Sequence, residues 1–373
     1  MRPRLEYKRI LINRWSGHGF LNRVTKGVAR YFSQKDDWLD FTKEGPKHWE
    51  LLDGAITFLF EQEAVERWAL RDRPVINLSN RLQHTPFPRV CSDDKAVGKM
   101  AAEYFLGKRF KRLLYYYTAP FHYVQMRKQG FRERLMQEGI EPIICEGIES
   151  LKAALKAGKV PLAIFTPEDE PALQVISIAS EMGLEIPNEI AVLGTNNDEM
   201  MCFLSKPPLS SIDIPGEKIG YKAGELLDRV MQGETLEQKE YFVQPEGVIV
   251  RRTTDTIGYE DPLIRRAANL MLVNLHAPLG MTMMAAHLGV SRKKMERVFR
   301  SELGTTPHAF LRQLRFDRAK HLLHTTDEPI SIIADRCGFS DYTKFSRFFS
   351  EEAGVPPSRW RKGKKNAAMS QSE

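Results

Sequence analysis

Two short stretches of the chain concentrate side chains that could bind nucleic acid. In the first stretch these are Ser291, Arg292, Lys293, Lys294 and Arg297. In the second they are Ser340, Asp341, Tyr342, Thr343, Lys344 and Arg347. Arg and Lys donate hydrogen bonds to guanine O6 and N7 or to phosphate oxygens, and Ser, Thr and Tyr can contact either bases or phosphates. Both stretches are therefore predicted to contact DNA.

Each stretch follows a short apolar helix and a glycine, which is typical of a helix-turn-helix. Gly289 permits the first turn and Gly338 the second, and Ser291 and either Ser340 or Asp341 are expected to cap the helices that follow. One such pair is weak evidence, because many helix pairs share this pattern. Here two pairs lie fifty residues apart, bridged by one amphipathic helix over 307–326. A rigid bridge can hold both recognition helices on one DNA face, about 34 Å apart.

The C-terminal hundred residues resemble the AraC/XylS family of regulators. The first half of the match rests on Leu288, Gly289, Ser291, Phe299, Gly304, Pro307, Leu314, Arg318, Ala319, Leu322 and Leu323. The second half rests on Ile333, Ala334, Gly338, Phe339, Phe345, Arg347, Phe349, Gly354, Pro357 and Arg361. Departures from the usual family pattern are Lys344 for an aromatic residue, Ser350 and Glu351 for a basic pair, and Trp360 for Tyr or Phe. They bear on which DNA sequence is preferred.

The first 252 residues alternate strand-like runs with helical stretches. The runs fall at 9–13, 55–60, 75–78, 113–117, 142–146, 162–166 and 190–194. This alternation predicts parallel sheets with helices on both faces, and seven or more units fit two α/β subdomains better than one sheet. Ligands of such sheets bind at the carboxyl ends of the strands.

Periodicity and charge both change after this region. Residues 253–262 are predicted to be a linker, 263–363 an all-helical DNA-binding domain, and 364–373 a disordered basic tail. Of 55 Lys and Arg and 48 Asp and Glu, 19 and 10 lie from Leu263 onward, leaving 36 and 38 before it. The excess positive charge is confined to the helical segment, as expected of a polyanion binder. A solvated basic domain without a partner would show the same balance.

The N-terminal half resembles the periplasmic-binding-protein-like sensor of LacI/GalR regulators. Those regulators carry the DNA-binding module first, whereas here it comes last, as in the xylose-responsive members of the AraC/XylS family. The resemblance implies a sugar bound between two subdomains. It implicates Arg127 within an R-x-x-G-F motif, and Asn196 and Asn197, where Asp-Asn is usual. Further candidate ligand contacts are Trp15, His18, Phe20, Tyr123 and Asp169. The alternatives are that Arg127 is a surface residue on a helix, that the two asparagines are turn formers, and that Trp15 and Phe20 are core or interface residues.

The sequence thus predicts a cytoplasmic, sequence-specific transcription regulator of carbohydrate catabolism genes. The resemblance implies an activator that responds to a monosaccharide, D-xylose or another pentose. Expected partners are double-stranded operator DNA, the sugar, RNA polymerase and a second copy of the chain. Two alternatives stay open: a regulator without an effector, whose N-terminal domain only dimerises, and a sensor of a ligand that is not a sugar.

Several sequence features argue against other classes of protein. The four cysteines are scattered, so no disulfide framework or zinc site is predicted, and no apolar run reaches the length of a membrane span. The S-x-x-K matches at Ser92 and Ser291 lack companion motifs, and the glycine-rich loop at Gly17 lacks its third glycine. We therefore expect no enzymatic activity, no cofactor and no metal.

Overall fold

The computed structural model describes residues 7–12, 19–42, 48–158, 160–277 and 279–361, with the side chains of 321, 324 and 325 left aside. The chain divides into two compact units, Met1–Asp255 and Thr256–Glu373. The stretch 253–262, expected to be a linker, is shared between them. Thr253 and Thr254 are buried in the first unit, where the Thr253 hydroxyl donates to the Val192 carbonyl, and Thr256 is buried in the second.

The first unit contains two six-stranded sheets. Its strands are β1 (Lys8–Ile12), β2 (Trp38–Asp40), β3 (Gly54–Thr57), β4 (Val75–Asn77), β5 (Arg89–Ser92), β6 (Leu113–Tyr117), β7 (Ile143–Glu146), β8 (Leu162–Phe165), β9 (Ile190–Thr195), β10 (Ser210–Asp213), β11 (Glu240–Val243) and β12 (Gly247–Ile249). The first sheet has the order β11-β5-β4-β3-β1-β2 and the second β12-β10-β9-β8-β6-β7. All neighbours are parallel except β10 and β12. The predicted fold class, two α/β subdomains followed by an all-helical domain, is confirmed.

All seven strand-like runs form strands, because buried parallel strands are continuously apolar and easy to recognise. Leu113–Tyr117, for example, is buried at every position. Sequence reasoning missed five strands, β2, β5, β10, β11 and β12. They are three or four residues long and several carry polar residues, as in Ser210–Asp213, so only pairing with a neighbouring strand defines them.

Eight helices cover the sheets of this unit. They are α1 (Gly19–Phe32), α2 (Gln62–Ala69), α3 (Asp94–Gly107), α4 (His122–Met136), α5 (Gly147–Lys156), α6 (Asp169–Glu181), α7 (Glu199–Leu204) and α8 (Gly216–Met231). Helices α3 and α4 cross so closely that a Cβ on Gly98 would lie 1.9 Å from the Arg127 carbonyl oxygen. A Cβ on Gly130 would lie 2.1 Å from the Lys95 carbonyl oxygen. Glycine at both positions lets the two backbones touch, and this contact fixes Arg127 against α3.

The second unit consists of six helices in its described part. They are α9 (Pro262–Val273), α10 (Met281–His287), α11 (Arg292–Leu303), α12 (Pro307–Thr325), α13 (Ile330–Arg336) and α14 (Tyr342–Ala353). Two apolar clusters form its core. Leu311 of α12 belongs to the cluster of α9, α10 and α11, whereas Phe316, Ala319 and Leu322 belong to that of α13 and α14. One helix therefore contributes to both cores.

Candidate functional site

A cavity of about 410 Å³ lies where loops from both sheets of the first unit converge. Strands β3, β4, β5, β6, β8 and β9 all end at it, as the rule for parallel sheets predicts. Its lining residues are Phe20, Leu21, Phe58, Phe60, Glu61, Leu78, Ser79, Asn80, Arg81, Cys91, Ser92, Asp94, Phe121, Tyr123, Arg127, Glu168 and Asn196. A volume of this size suits a small organic ligand.

A buried ion pair anchors one wall of the cavity. Arg127 of α4 donates from Nε to Asp94 Oδ1 at 2.8 Å, and it also donates to the carbonyl of Pro167. Asp94 begins α3 and accepts further hydrogen bonds from Ser92 Oγ (2.8 Å) and Asn80 Nδ2 (2.6 Å). Burial acts to lower the pKa of Arg127, but the charge and hydrogen bond of Asp94 outweigh burial, so this pKa lies above its ordinary value. The Arg127 guanidinium therefore stays charged in its buried position.

Asn80 offers the cavity an oxygen that has no partner. Its amide nitrogen is held by Asp94, yet its Oδ1 is buried and accepts no hydrogen bond from any part of the chain that the structure describes. A buried acceptor without a partner costs about 1–3 kcal/mol. A ligand with a hydroxyl or amine at this point would satisfy Asn80.

Aromatic rings form much of the remaining wall. Phe58 and Phe60 stack with ring centroids 5.7 Å apart, and Phe121 and Tyr123 stack at 5.9 Å. The Arg81 guanidinium lies 3.9 Å from the Phe121 ring centroid. Burial, the charge of the neighbouring Glu168 and a hydrogen bond to it raise the pKa of Tyr123, so its hydroxyl is protonated.

The loop after β9 contributes one asparagine to the cavity and turns the other away. Asn196 (φ 96°) lines the cavity, and Asn197 (φ 48°) follows it in the left-handed region. Asn197 is buried, and its Oδ1 accepts from Arg251 at 2.8 Å while its backbone N–H donates to Ser211 Oγ at 2.9 Å. Asn197 therefore supports the loop and does not line the cavity.

Asp169 is likewise a supporting residue outside the cavity lining. It accepts from Ser211 Oγ at 2.6 Å and from the Asp198 backbone N–H at 2.8 Å. Burial raises the pKa of Asp169 to about 7. The carboxyl group holds the base of the loop at residues 196–198.

Contacts between α1 and this loop join the two subdomains at the rim of the cavity. The Gly19 backbone N–H donates to Asp198 Oδ2 at 2.7 Å. Arg23 donates to the carbonyl of Asn197 at 2.7 Å and forms an ion pair with Asp213 at 3.3 Å. The cleft is thus closed on this side by residues adjacent to Asn196.

Of the predicted ligand residues, Phe20, Tyr123, Arg127 and Asn196 line the cavity. Trp15 and His18 fall outside the described residues. Sequence reasoning missed Glu61, Asn80, Arg81, Asp94 and Glu168. Each lies just after a strand, so the rule that selected Asn196 could have found them; of the strands that precede them, only β5, before Asp94, was not predicted.

The first helix-turn-helix presents a cationic face. Gly289 (φ 70°) makes the turn, and Ser291 Oγ caps α11 by accepting from the Lys294 backbone N–H at 3.2 Å. Met295 and Phe299 are buried. The exposed residues of the helix include Arg292, Lys293, Lys294, Arg297 and Arg300.

The second helix-turn-helix repeats this arrangement. Asp341, and not Ser340, caps α14, because its Oδ1 accepts from the Thr343 backbone N–H at 2.6 Å. Phe345, Phe348 and Phe349 are buried. The exposed residues before and along the helix are Ser340, Asp341, Tyr342, Thr343, Lys344 and Arg347.

The second turn also rests on the first half of this unit. A Cβ on Gly338 (φ 80°) would lie 2.3 Å from the Leu275 carbonyl oxygen. Arg315 of α12 donates to that carbonyl at 3.3 Å and to the Ala277 carbonyl at 2.8 Å. These contacts hold the two helix-turn-helix pairs in one arrangement.

The described ranges contain neither a helix suited to span a membrane nor a cluster of metal-binding side chains. No helix there has the length and apolar character needed to span a bilayer. No cluster of three or more His, Cys, Asp or Glu side chains there could hold a metal ion.

Known proteins match the chain in both units. Residues 102–254 match a periplasmic binding protein-like domain and residues 284–363 a helix-turn-helix domain. The xylose operon regulatory protein of Escherichia coli K12 is 23% identical over 365 residues, covering 91% of this chain and 93% of that protein.

Solved structures share the fold. The xylose-binding transcription activator xylR matches with a TM-score of 0.66 and 23% identity, covering 97% of this chain and 99% of that chain. A periplasmic binding protein/LacI transcriptional regulator from Alkaliphilus metalliredigens, complexed with D-xylulofuranose, matches with a TM-score of 0.54 and 22% identity, covering 66% and 98%. The relatives are transcription regulators, not enzymes. The chain is therefore a DNA-binding transcription regulator that combines a periplasmic binding protein-like domain with a C-terminal helix-turn-helix domain, and it is similar over most of its length to the xylose operon regulatory proteins.

Proposed function

We propose that this regulator controls carbohydrate catabolism genes in response to a monosaccharide bound in the cavity of its first unit. D-Xylose is the first candidate and other pentoses follow, since the relatives similar over most of the chain are named for xylose. Activation of transcription by a homodimer that recruits RNA polymerase is part of the same proposal. The observation that carries it is the cavity itself, which combines aromatic walls with the unpartnered Asn80 oxygen.

The chemistry of the lining suits a sugar. A pyranose offers an apolar ring face to Phe58, Phe60 or Phe121 and hydroxyls that both donate and accept. Asn80 Oδ1 would accept from one hydroxyl, and Arg127, whose terminal nitrogens carry further protons, would donate to another. Asn196 and Tyr123 would complete the polar contacts.

The charge of the lining favours a neutral sugar over a sugar phosphate. Glu61, Asp94 and Glu168 face Arg81 and Arg127, which leaves one net negative charge. Asp94 and Arg127 compensate one another through their ion pair. An anionic ligand would meet repulsion from the remaining carboxylates in a site of low dielectric constant.

DNA recognition is assigned to the exposed side chains of α11 and α14. Arg292, Lys293, Lys294 and Arg297 would contact one major-groove turn, with Ser291 at the helix start. Ser340, Asp341, Tyr342, Thr343, Lys344 and Arg347 would contact the next turn. A sugar controls this binding only if it binds the DNA-binding-competent arrangement of the chain more tightly than the incompetent one. The Asp198–Gly19 contact at the cavity rim is where closure of the cleft would be stabilised.

A thermal-shift screen of the full chain tests the sensor. D-Xylose, other pentoses, hexoses and sugar phosphates are compared, with the same screen on Asn80→Ala and on Arg297→Ala. At about a hundred times its dissociation constant the effector should add roughly 2.7 kcal/mol to the unit that binds it. We expect a shift with one neutral sugar that is lost in Asn80→Ala and kept in Arg297→Ala, which should instead bind DNA more weakly.

Two results would contradict this proposal. If no compound in the screen shifts the unfolding temperature while DNA binding is intact, the first unit either only dimerises or binds another class of ligand. Loss of the sugar shift in Arg297→Ala would show that the two units do not divide sugar and DNA binding between them.

A further inference from the structure

The second recognition helix carries an acidic residue on the same face as its DNA-binding cations. Lys344, Arg347 and Glu351 of α14 are spaced at i, i+3 and i+7, so they share one side of the helix. Together with Arg312 of α12 they line a groove of about 320 Å³. The other lining residues, His308, Leu311, Arg315, Phe339 and Phe348, add no carboxylate to this groove.

Glu351 forms ion pairs with two of these cations. Its Oε1 lies 3.1 Å from Arg347 Nε and its Oε2 lies 2.9 Å from an Arg312 terminal nitrogen. Arg312 also pairs with Glu352 at 2.7 Å and lies 5.0 Å from the Phe348 ring centroid, which fixes its position. The Arg347 and Glu351 side chains are 84% and 47% exposed, so the network faces the solvent from which DNA would approach.

The first recognition helix also carries an ion pair, Arg292 with Glu296 at 2.7 Å, but it has no carboxylate at the position of Glu351. Fifty residues earlier, Arg297 occupies the position of Arg347, and Ser301 that of Glu351. Both residues border a surface groove with Lys293, Lys294, Arg300 and Glu296. Among the described residues, no carboxylate forms an ion pair with Arg297, so its guanidinium is available to a phosphate.

We infer that Glu351 is an internal counterion that competes with DNA phosphates for Arg312 and Arg347 and so lowers the DNA affinity of the second recognition helix. Phosphate contacts give DNA affinity through release of counterions, and each such contact adds to the salt dependence of binding. A cation that already holds a carboxylate must break that pair before it contributes. The second helix-turn-helix then engages where base contacts add to its reduced phosphate contacts.

The substitution Glu351→Gln tests this inference without knowledge of the operator. Because phosphate contacts are independent of sequence, the probe is a fluorescein-labelled duplex of mixed sequence, and binding to the full chain is followed by fluorescence anisotropy between about 50 and 200 mM NaCl. Freed of the carboxylate, Arg312 and Arg347 should tighten binding by about three- to tenfold at the lower salt. The slope of log K against log salt should steepen by about 0.9 to 1.8, for one or two added phosphate contacts.

A charge-matched control separates this effect from a change in net charge. Asp335→Asn removes one carboxylate from exposed α13, where it forms no ion pair with the described residues, and should leave the slope unchanged. Glu351→Ser, which copies the first recognition helix, should behave like Glu351→Gln. Equal slopes for wild type, Glu351→Gln and Glu351→Ser, with thermal unfolding unchanged, would overturn the inference. It does not depend on the sugar, so a failed sugar screen would leave it standing.

Discussion

At the scale of single residues, two buried carboxyl groups around the cavity differ in whether they have an ion-pair partner. Asp94 is paired with Arg127, whereas Asp169 accepts hydrogen bonds from a hydroxyl and a backbone N–H and forms no ion pair with the described residues. A buried charge with a partner and one without respond differently to substitution and to pH. Each gives a prediction.

Removing the charge of Asp94 should strongly destabilise the first unit. Asp94→Asn leaves the Arg127 guanidinium buried without a counterion, which typically costs about 3–5 kcal/mol of unfolding free energy. Urea unfolding followed by tryptophan fluorescence reports mainly on this unit, because four of the five tryptophans precede residue 255. Arg132→Ala, which breaks only the exposed pair with Glu141, is the control and should change stability by less than about 0.5 kcal/mol. Similar losses for both variants would contradict the ion-pair account.

The Asp169 carboxyl should make the first unit less stable as the pH rises from about 4 to about 7. Its pKa is about 7 in the folded protein and near 4 when unfolded, so between these values the folded state holds the extra proton. Folding stability from this group is therefore complete below about pH 4 and declines until about pH 7. Asp169→Asn has no such proton, and its stability relative to wild type should rise by roughly 4 kcal/mol between pH 4 and 8. Parallel pH profiles of the two proteins would show that Asp169 does not titrate in this way.

At the scale of elements, the crossing of α3 and α4 decides whether the cavity wall can form. Asp94 and Arg127 lie on different helices, and their 2.8 Å contact depends on the touching backbones at Gly98 and Gly130. The spacing of these helices is therefore as important to the site as the charged residues themselves.

Adding one methyl group at this crossing should disturb both folding and binding. Gly98→Ala places a Cβ 1.9 Å from the Arg127 carbonyl oxygen, and separating the helices should cost about 3 kcal/mol. The effector of the thermal-shift screen should also bind less tightly. Gly107→Ala, at the other end of the same helix with no atom within 4 Å of the new Cβ, should be neutral or slightly stabilising. If both alanines had the same effect on urea unfolding, close packing at Gly98 would not be the cause.

At the scale of the whole molecule, sequence patterns predicted the architecture better than the set of residues that lines the cavity. Long apolar strands and the two glycine turns are local signals, so both α/β subdomains and both helix-turn-helix pairs could be recognised. Whether Asn196 or Asn197 lines the cavity depends on two left-handed backbone conformations, and the position of Asp169 depends on Ser211, forty-two residues away. Asn80 was missed because its role comes from a side-chain oxygen that folding buries without a hydrogen-bond partner. No sequence pattern records such a loss.

The shared helix α12 has a further consequence for the length of DNA that one chain can read. Its first half packs with one apolar cluster and its second half with the other. The length of α12 therefore sets the distance and the angle between the exposed faces of α11 and α14. Each residue of an α-helix adds 1.5 Å and turns the following segment by about 100°.

One alanine inserted between Arg315 and Phe316 would put the faces of α11 and α14 out of phase. We expect it to abolish binding to a duplex selected in vitro with the wild-type chain, while mixed-sequence DNA is still bound; unchanged binding to the selected duplex would mean that the two faces read DNA independently. The spacing between half-sites in the operator is then set by the number of residues in one helix.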